Sequence, residues 1–206
     1  MSKDVLSASV QESSRDRIMA RIRAGRERHT EVSLPDVPMY DIKGDKVENF
    51  ISKLESFDGK AVRVPTRGDA LRWLAENLET DGKTVYSAVA GFKGNFEVDS
   101  TTDPHSANVV DICVANGILG VGETGSIWVT EESLGLTACA LFSTDLYLLL
   151  EVDKIYSGLH QAYAALNLAN GRYGAFYTGP SATADIEAVH ITGAQGEISL
   201  TAILIG

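Results

Sequence analysis

The chain has 206 residues, 44% of them hydrophobic, which suits one α/β domain of ordinary size with enough apolar side chains for a core. Its net charge of -10 argues against non-specific nucleic-acid binding, which depends on neutralising phosphates. No apolar run approaches the roughly 18 residues a membrane helix needs, and no secretory leader is recognisable, so a cytoplasmic protein with no membrane span is expected.

Residues 1–14 are polar and small. From 15 to 28, Ile18, Met19 and Ile22 fall at helical spacing on a basic helix whose interleaved acids mark a solvated face. Residues 30–45 hold Pro35, Pro38 and Gly44 with little periodicity and read as a connector, with Leu34, Val37, Met39 and Tyr40 wanting cover. The domain division expected is therefore 1–45, N-terminal helix and connector, and 46–206, the α/β body.

Within the body, 46–57 places Val47, Phe50, Ile51 and Leu54 on one helical face, and Asp58-Gly59 ends it. A short strand over 61–64 follows. Thr66-Arg67-Gly68-Asp69 resembles a capping box and opens a helix that turns Leu71, Leu74 and Leu78 inward. Asp81-Gly82 leads to a strand at 84–86. This alternation predicts a mostly parallel sheet covered by helices. The Gly-, Asp- and Thr-rich stretch 90–106 reads as a surface loop, with Asp103 and His105 in solvent.

Val109 to Ala115 is a buried strand or a short helix, which periodicity leaves open. Gly120-Val121-Gly122-Glu123-Thr124-Gly125 spells a G-x-G-x-x-G, but Ser126-Ile127-Trp128-Val129-Thr130 reads as a strand where a dinucleotide site needs a helix. Glu123 draws more interest. Flanking glycines leave room for a ligand near the backbone, and Thr124 and Ser126 add hydroxyls; a turn with Glu123 in water is the competing reading. Two apolar runs, 136–142 and 146–152, suggest strands buried on both faces. A helix is expected over 153–169, with Ile155, Leu159, Ala162, Tyr163 and Leu166 as its core stripe.

The strand 173–177 then meets Thr178-Gly179-Pro180-Ser181-Ala182-Thr183-Ala184-Asp185-Ile186-Glu187. A Gly-Pro turn here predicts a helix start capped by Ser181 or Thr183 and running past Ala188 and His190, with backbone N–H groups free for an anion or polar ligand. Asp185 and Glu187 would complement that helix's dipole. Cys113 and Cys139 lie in apolar runs without Cys-x-x-Cys spacing and read as buried thiols. His29, His105, His160 and His190 are scattered, so no metal site is expected.

Gly-Pro-Ser-x-Thr-Ala-Asp-Ile-Glu resembles the C-terminal signature of the LUD family, the lactate-utilisation domain of LutC-type proteins. The turn Gly193-Ala194-Gln195-Gly196 and the apolar strand from Ile198 to Ile205 follow it as in that family. Gly122-Glu123-Thr124-Gly125-Ser126 is similar to the family's Glu-Thr-Gly-Thr/Ser segment, and Arg15-Asp16-Arg17-Ile18-Met19-Ala20-Arg21-Ile22-Arg23 looks like its opening helix. Members commonly carry His-Gly-Pro in the final turn, where this chain reads Gln195-Gly196-Glu197, so a proton-transfer role cannot be borrowed through that histidine.

The resemblance implies a three-layer α/β/α fold like the NagB/RpiA/CoA-transferase group. It also implies a LutC-like part in oxidising L-lactate to pyruvate, beside LutA/LutB-like iron–sulfur proteins. Two cysteines are too few for a four-thiolate cluster, so the iron–sulfur centres are expected on the partner subunits and no cofactor on this chain. Because ligands of parallel α/β sheets sit beyond the carboxyl ends of the strands, one cleft is expected there. It would join Glu123 and Asp185 as an acid/base pair to Thr124, Gly125, Ser126, Gly179, Pro180, Ser181, Thr183 and Glu187 around a small-molecule ligand. Fold analogy adds an alternative, a stand-alone acyl- or CoA-transferase-like or cyclo-ligase-like enzyme with Glu123 as nucleophile.

Overall fold

The run Leu146-Tyr147-Leu148-Leu149-Leu150 forms the middle of a parallel sheet, and its continuous apolarity reflects burial on both faces. A computed structural model describes residues 13–26, 33, 42–168, 173–184, 190–194 and 196–206. The chain divides into two units, Met1–Met39 and Tyr40–Gly206. Of the first, the described part is α1 (Ser14–Arg26), a basic helix with Ile18 and Ile22 on one face. Leu34, Val37, Met39 and Tyr40 lie outside the described residues.

The second unit opens with α2 (Lys46–Ser56), capped by Asp45, whose carboxylate accepts the Val47 and Glu48 N–H groups. Strand β1 (Lys60–Val64), helix α3 (Arg67–Asn77) and strand β2 (Val85–Ser87) follow. Thr66 caps α3 by accepting the Asp69 N–H, as its capping motif predicts. Later come β3 (Ile112–Asn116), β4 (Leu119–Val121), β5 (Ser126–Thr130), α4 (Glu131–Leu134), α5 (Thr137–Phe142) and β6 (Asp145–Glu151). The chain closes with β7 (Ile155–Tyr156), α6 (Leu159–Ala165), β8 (Gly174–Tyr177), β9 (Ala182–Ala184), β10 (His190–Thr192) and β11 (Ser199–Ile205).

The central sheet runs β1-β11-β6-β3-β2 with every neighbouring pair parallel. Strand side chains alternate between two cores. Val64, Ile112, Val114, Leu149, Ile203 and Ile205 pack with Ala70 and Leu74 of α3 on one face. On the other, Cys113, Ala115, Leu146, Leu148, Leu150, Leu200, Ala202 and Leu204 pack with Phe50 and Leu54 of α2 and Cys139 and Ala140 of α5. The result is the three-layer α/β/α arrangement. A second sheet, β7-β4-β5-β8, belongs to the α2 side, where Ile127, Val129 and Ile155 join the same core. Its reverse surface carries Leu119, Val121, Trp128 and Phe176 beneath Ala162 of α6. Among the described residues no helix is long and apolar enough to cross a membrane.

Three segments differ from expectation. Residues 137–142 form α5 where a strand over 136–142 was expected, with Cys139 and Ala140 inward and Leu141 and Phe142 exposed, so a short apolar run was one-sided after all. The expected helix over 153–169 is divided. Ile155 is drawn into β7 by pairing with Gly120, and Ser157-Gly158 breaks the chain before α6. After the Gly-Pro turn residues 182–184 form β9, paired antiparallel with β10 so that Thr183 lies opposite Ile191, where a helix start was expected; residues 185–189 of that expected helix lie outside the described residues. Branched Thr183, Ile191 and Thr192 suit paired strands, and the pairing of β9 leaves no helix start at Ser181 or Thr183 to offer anion-binding N–H groups.

Candidate functional site at the signature turn

Strands β5 and β8 are antiparallel neighbours, with Ile127 opposite Tyr177 and Trp128 opposite Phe176. This register sets Ser126, at the start of β5, beside Thr178, just past the end of β8. The Ser126 and Thr178 hydroxyls hydrogen-bond at 2.5 Å, and the Thr124 and Ser126 hydroxyls at 2.7 Å. Two turns more than 50 residues apart in sequence (|i−j| = 52) are thereby tied by a chain of three hydroxyls. Both lean on the end of α2. Gly125 and Gly179 have φ of +69° and +68°, and a Cβ on either would lie 2.3 Å from the Leu54 nitrogen or 2.1 Å from the Phe57 carbonyl oxygen. Glycine is required at both positions, for its left-handed backbone and for the close approach.

The meeting point is not the carboxyl rim of the parallel sheet. That rim holds Arg67, which donates to Asn116 Oδ1 at 2.8 Å and stands 3.7 Å from Glu151. The signature turn hangs at the opposite, amino end of β11, where the Ser181 N–H donates to the Glu197 carbonyl at 2.9 Å and the Gly193 N–H to the Ser181 carbonyl at 2.8 Å. The reason is topological: β8 belongs to the second sheet, so the strand-end rule for the parallel sheet does not govern the turn that follows it.

Glu123 is exposed, and its Oε2 accepts the Leu159 N–H at 2.9 Å. It thus supplies the N-terminal acceptor that Gly158, lacking a side chain, cannot provide to α6. Its own N–H donates to the Ser157 carbonyl. Thr183 is exposed on β9. Asp185, Glu187 and Gln195 lie outside the described residues. The structure therefore joins Thr124 and Ser126 to the turn carrying Gly179, Pro180 and Ser181, while engaging Glu123 at α6.

A cavity of about 350 Å³ lies along the signature turn, lined by Leu141, Phe176, Tyr177, the residues 178–181, Gly196 and Glu197. Glu197 was not anticipated as a site residue. Only 6% of it is exposed, and burial pushes its carboxyl above the usual carboxylate range. The Tyr177 hydroxyl is buried with no hydrogen-bond partner among the described residues. Burial first, then the neighbouring Tyr173 and Glu197, raise its pKa beyond that of an ordinary phenol. Burial likewise raises the thiol of Cys113, and carries that of Cys139 to about 11, leaving both protonated and unreactive near neutrality. The one sequence signal for Glu197 was its place in the final turn, a charged residue two positions before an apolar strand. A separate cavity of about 380 Å³, lined by residues including Leu119, Trp128, Lys154, Tyr156 and Leu166, holds none of the signature residues.

Residues 104–205 match the LUD domain, a span that takes in the 122–125 turn, the signature turn, Glu197 and β11. The crystal structure of a DUF162 family protein from Deinococcus radiodurans is similar over 78% of this chain and 96% of that one, with a TM-score of 0.57 and 14% identity. At that identity the likeness concerns the fold. No curated protein matches the chain. On the domain match, whose span contains the clasped turns, residues 104–205 of this chain form a LUD domain.

Proposed function

We propose that this chain is a LutC-like component of a cytoplasmic L-lactate utilisation system, working with LutA/LutB-like iron–sulfur subunits, and that the signature-turn cavity is where it holds a small ligand. The observation that supports this reading is the clasp itself. The most specific motif of the LUD family is tied through Thr178 to Ser126 and through Ser181 to Glu197, and both ties border one cavity. The lactate assignment comes with the family. The iron–sulfur centres belong on the partners in this reading, because a cluster takes several thiolates and the two cysteines here are protonated in the core.

Deleting the gene should abolish growth on L-lactate, and the tagged full chain should bring down iron–sulfur proteins. Normal growth together with no such partner would overturn the reading. The exposure of Glu123 beside two glycines keeps one alternative in view, an acyl- or CoA-transferase-like or cyclo-ligase-like enzyme with Glu123 as nucleophile. In that case Glu123→Gln abolishes turnover of an acyl substrate while the fold is retained.

A further inference from the structure

We propose that Glu197 recognises the ligand of this site, its carboxyl O–H donating a hydrogen bond to an oxygen of a small monocarboxylate or carbonyl compound that enters beside Tyr177. The inference rests on the signature-turn cavity being a ligand site, and it adds the recognising group and the ligand class.

Three observations carry it. Glu197 is 6% exposed, yet it lines a cavity of about 350 Å³ and pairs with no Lys, Arg or His among the described residues. An unpaired buried carboxylate is costly, so such a group stays neutral and becomes an O–H donor, as buried acids do in other sites. The Tyr177 hydroxyl, in the same wall, is buried without a hydrogen-bond partner among the described residues. Two hydrogen-bonding side chains thus border one space with no partner among the described residues able to neutralise a charge there. Finally, the remaining lining limits the ligand. Leu141, Ala175, Phe176 and Pro180 are apolar, Tyr173, Thr178 and Ser181 add hydroxyls, the turn's glycines present bare backbone, and no cation is found among the described residues that line the cavity. A phosphorylated ligand would bring two or more negative charges to a site whose described lining has no cation to offset them. A neutral carbonyl, or a single carboxylate sharing the proton of Glu197, meets no such penalty.

Of the groups near Glu197, Tyr177 comes from β8 and Cys113 from β3, with Cys139 of α5 beside Cys113. Burial keeps Tyr177, Cys113 and Cys139 protonated through the neutral range. Glu197 is then the group whose charge changes first as pH rises, and once ionised it repels a carboxylate ligand. Affinity for a carboxylate should fall as pH rises through the raised pKa of Glu197, whereas affinity for a neutral carbonyl should fall less.

The test is binding of L-lactate, pyruvate, lactamide and inorganic phosphate to the full chain by calorimetry from pH 5 to 8, with Glu197→Gln and Glu197→Ala beside the wild type. Pyruvate or lactate should bind wild type more weakly as pH rises. The Gln variant keeps an N–H donor and should bind with little pH dependence. The Ala variant should bind about tenfold to a hundredfold more weakly at pH 5, the loss of one hydrogen bond to a charged group. Unchanged affinity in the Ala variant, preference for phosphate, or no binding of any carboxylate or carbonyl probe overturns the proposal. Binding that behaves as expected in a strain that grows normally on lactate would sink the lactate assignment alone and leave Glu197 standing.

Discussion

Replacing Gly179 by Ala tests whether the signature turn is held against α2 by close approach. Its φ of +68° costs an L-residue about 1–2 kcal/mol. The added Cβ would also lie 2.1 Å from the Phe57 carbonyl oxygen, so the turn must withdraw by about 1 Å to restore ordinary contact. Overpacking of that kind costs about 1–3 kcal/mol, giving a total loss of about 2–5 kcal/mol, a large part of a typical domain's stability. Gly82 supplies the control: its φ is +70° and nothing lies within 4 Å of its would-be Cβ, so Gly82→Ala carries the backbone cost alone. Urea unfolding followed by circular dichroism and tryptophan fluorescence should place Gly179→Ala below Gly82→Ala by about 1–3 kcal/mol. Withdrawal of the turn should also separate Thr178 from Ser126 and weaken any ligand binding, which Gly82→Ala should leave alone. Equal losses in the two variants would refute the close-approach account.

The three-hydroxyl chain makes a second prediction. Ser126→Ala leaves the Thr124 and Thr178 hydroxyls without their shared partner and should cost about 1–3 kcal/mol, with Thr178→Val coupled to it by at least about 0.5 kcal/mol in a double-mutant cycle; simple additivity would show the contact to be idle. At α6, Glu123→Gln keeps an acceptor for the Leu159 N–H and should cost less than Glu123→Ala, which removes it, the difference being about 1 kcal/mol at most. A Gln as damaging as an Ala in thermal unfolding would disprove the capping role. Glu197 sets a pH dependence whose sign follows from burial. Its folded pKa is raised, so the carboxyl favours folding fully below its unfolded pKa and loses that contribution as pH rises through the folded value. Glu197→Gln should therefore be more stable than wild type at pH 8, with the gap closing toward pH 4; a gap constant across that range would mean Glu197 is not desolvated in the folded chain.

Much of this architecture could be read from residue order. Thr66 and Asp69 mark the start of α3 because the Thr66 hydroxyl accepts the Asp69 N–H and donates to the Asp69 carboxylate, a cap made of purely local atoms. The apolar stripe Val47, Phe50, Ile51 and Leu54 defined α2, and the unbroken run 146–150 defined the buried strand β6. The match of the signature turn to the LUD family was equally a matter of order. The two loops were expected to meet at the carboxyl rim of the parallel sheet; the Ser126–Thr178 hydrogen bond joins them instead beside the second sheet.

What residue order could not settle depends on partners distant in the chain. Ile155 could equally begin a helix until Gly120 offers it a strand edge, and Thr183 could cap a helix until Ile191 pairs with it. Glu197 shows the same division most clearly. In sequence it is one charged residue in a Gly-rich turn, and most such residues point into water. Only the packing of β3, β8 and the signature turn around it takes that water away and leaves a desolvated carboxyl at the edge of a cavity. The sequence alone determined the helix caps, the glycine turns and the alternating strand faces, because these arise from bonds between near neighbours. Tertiary structure alone decided which strands paired, which end of the sheet received the signature turn and which carboxyl lost its solvent, because each is set by surfaces the chain brings together only on folding.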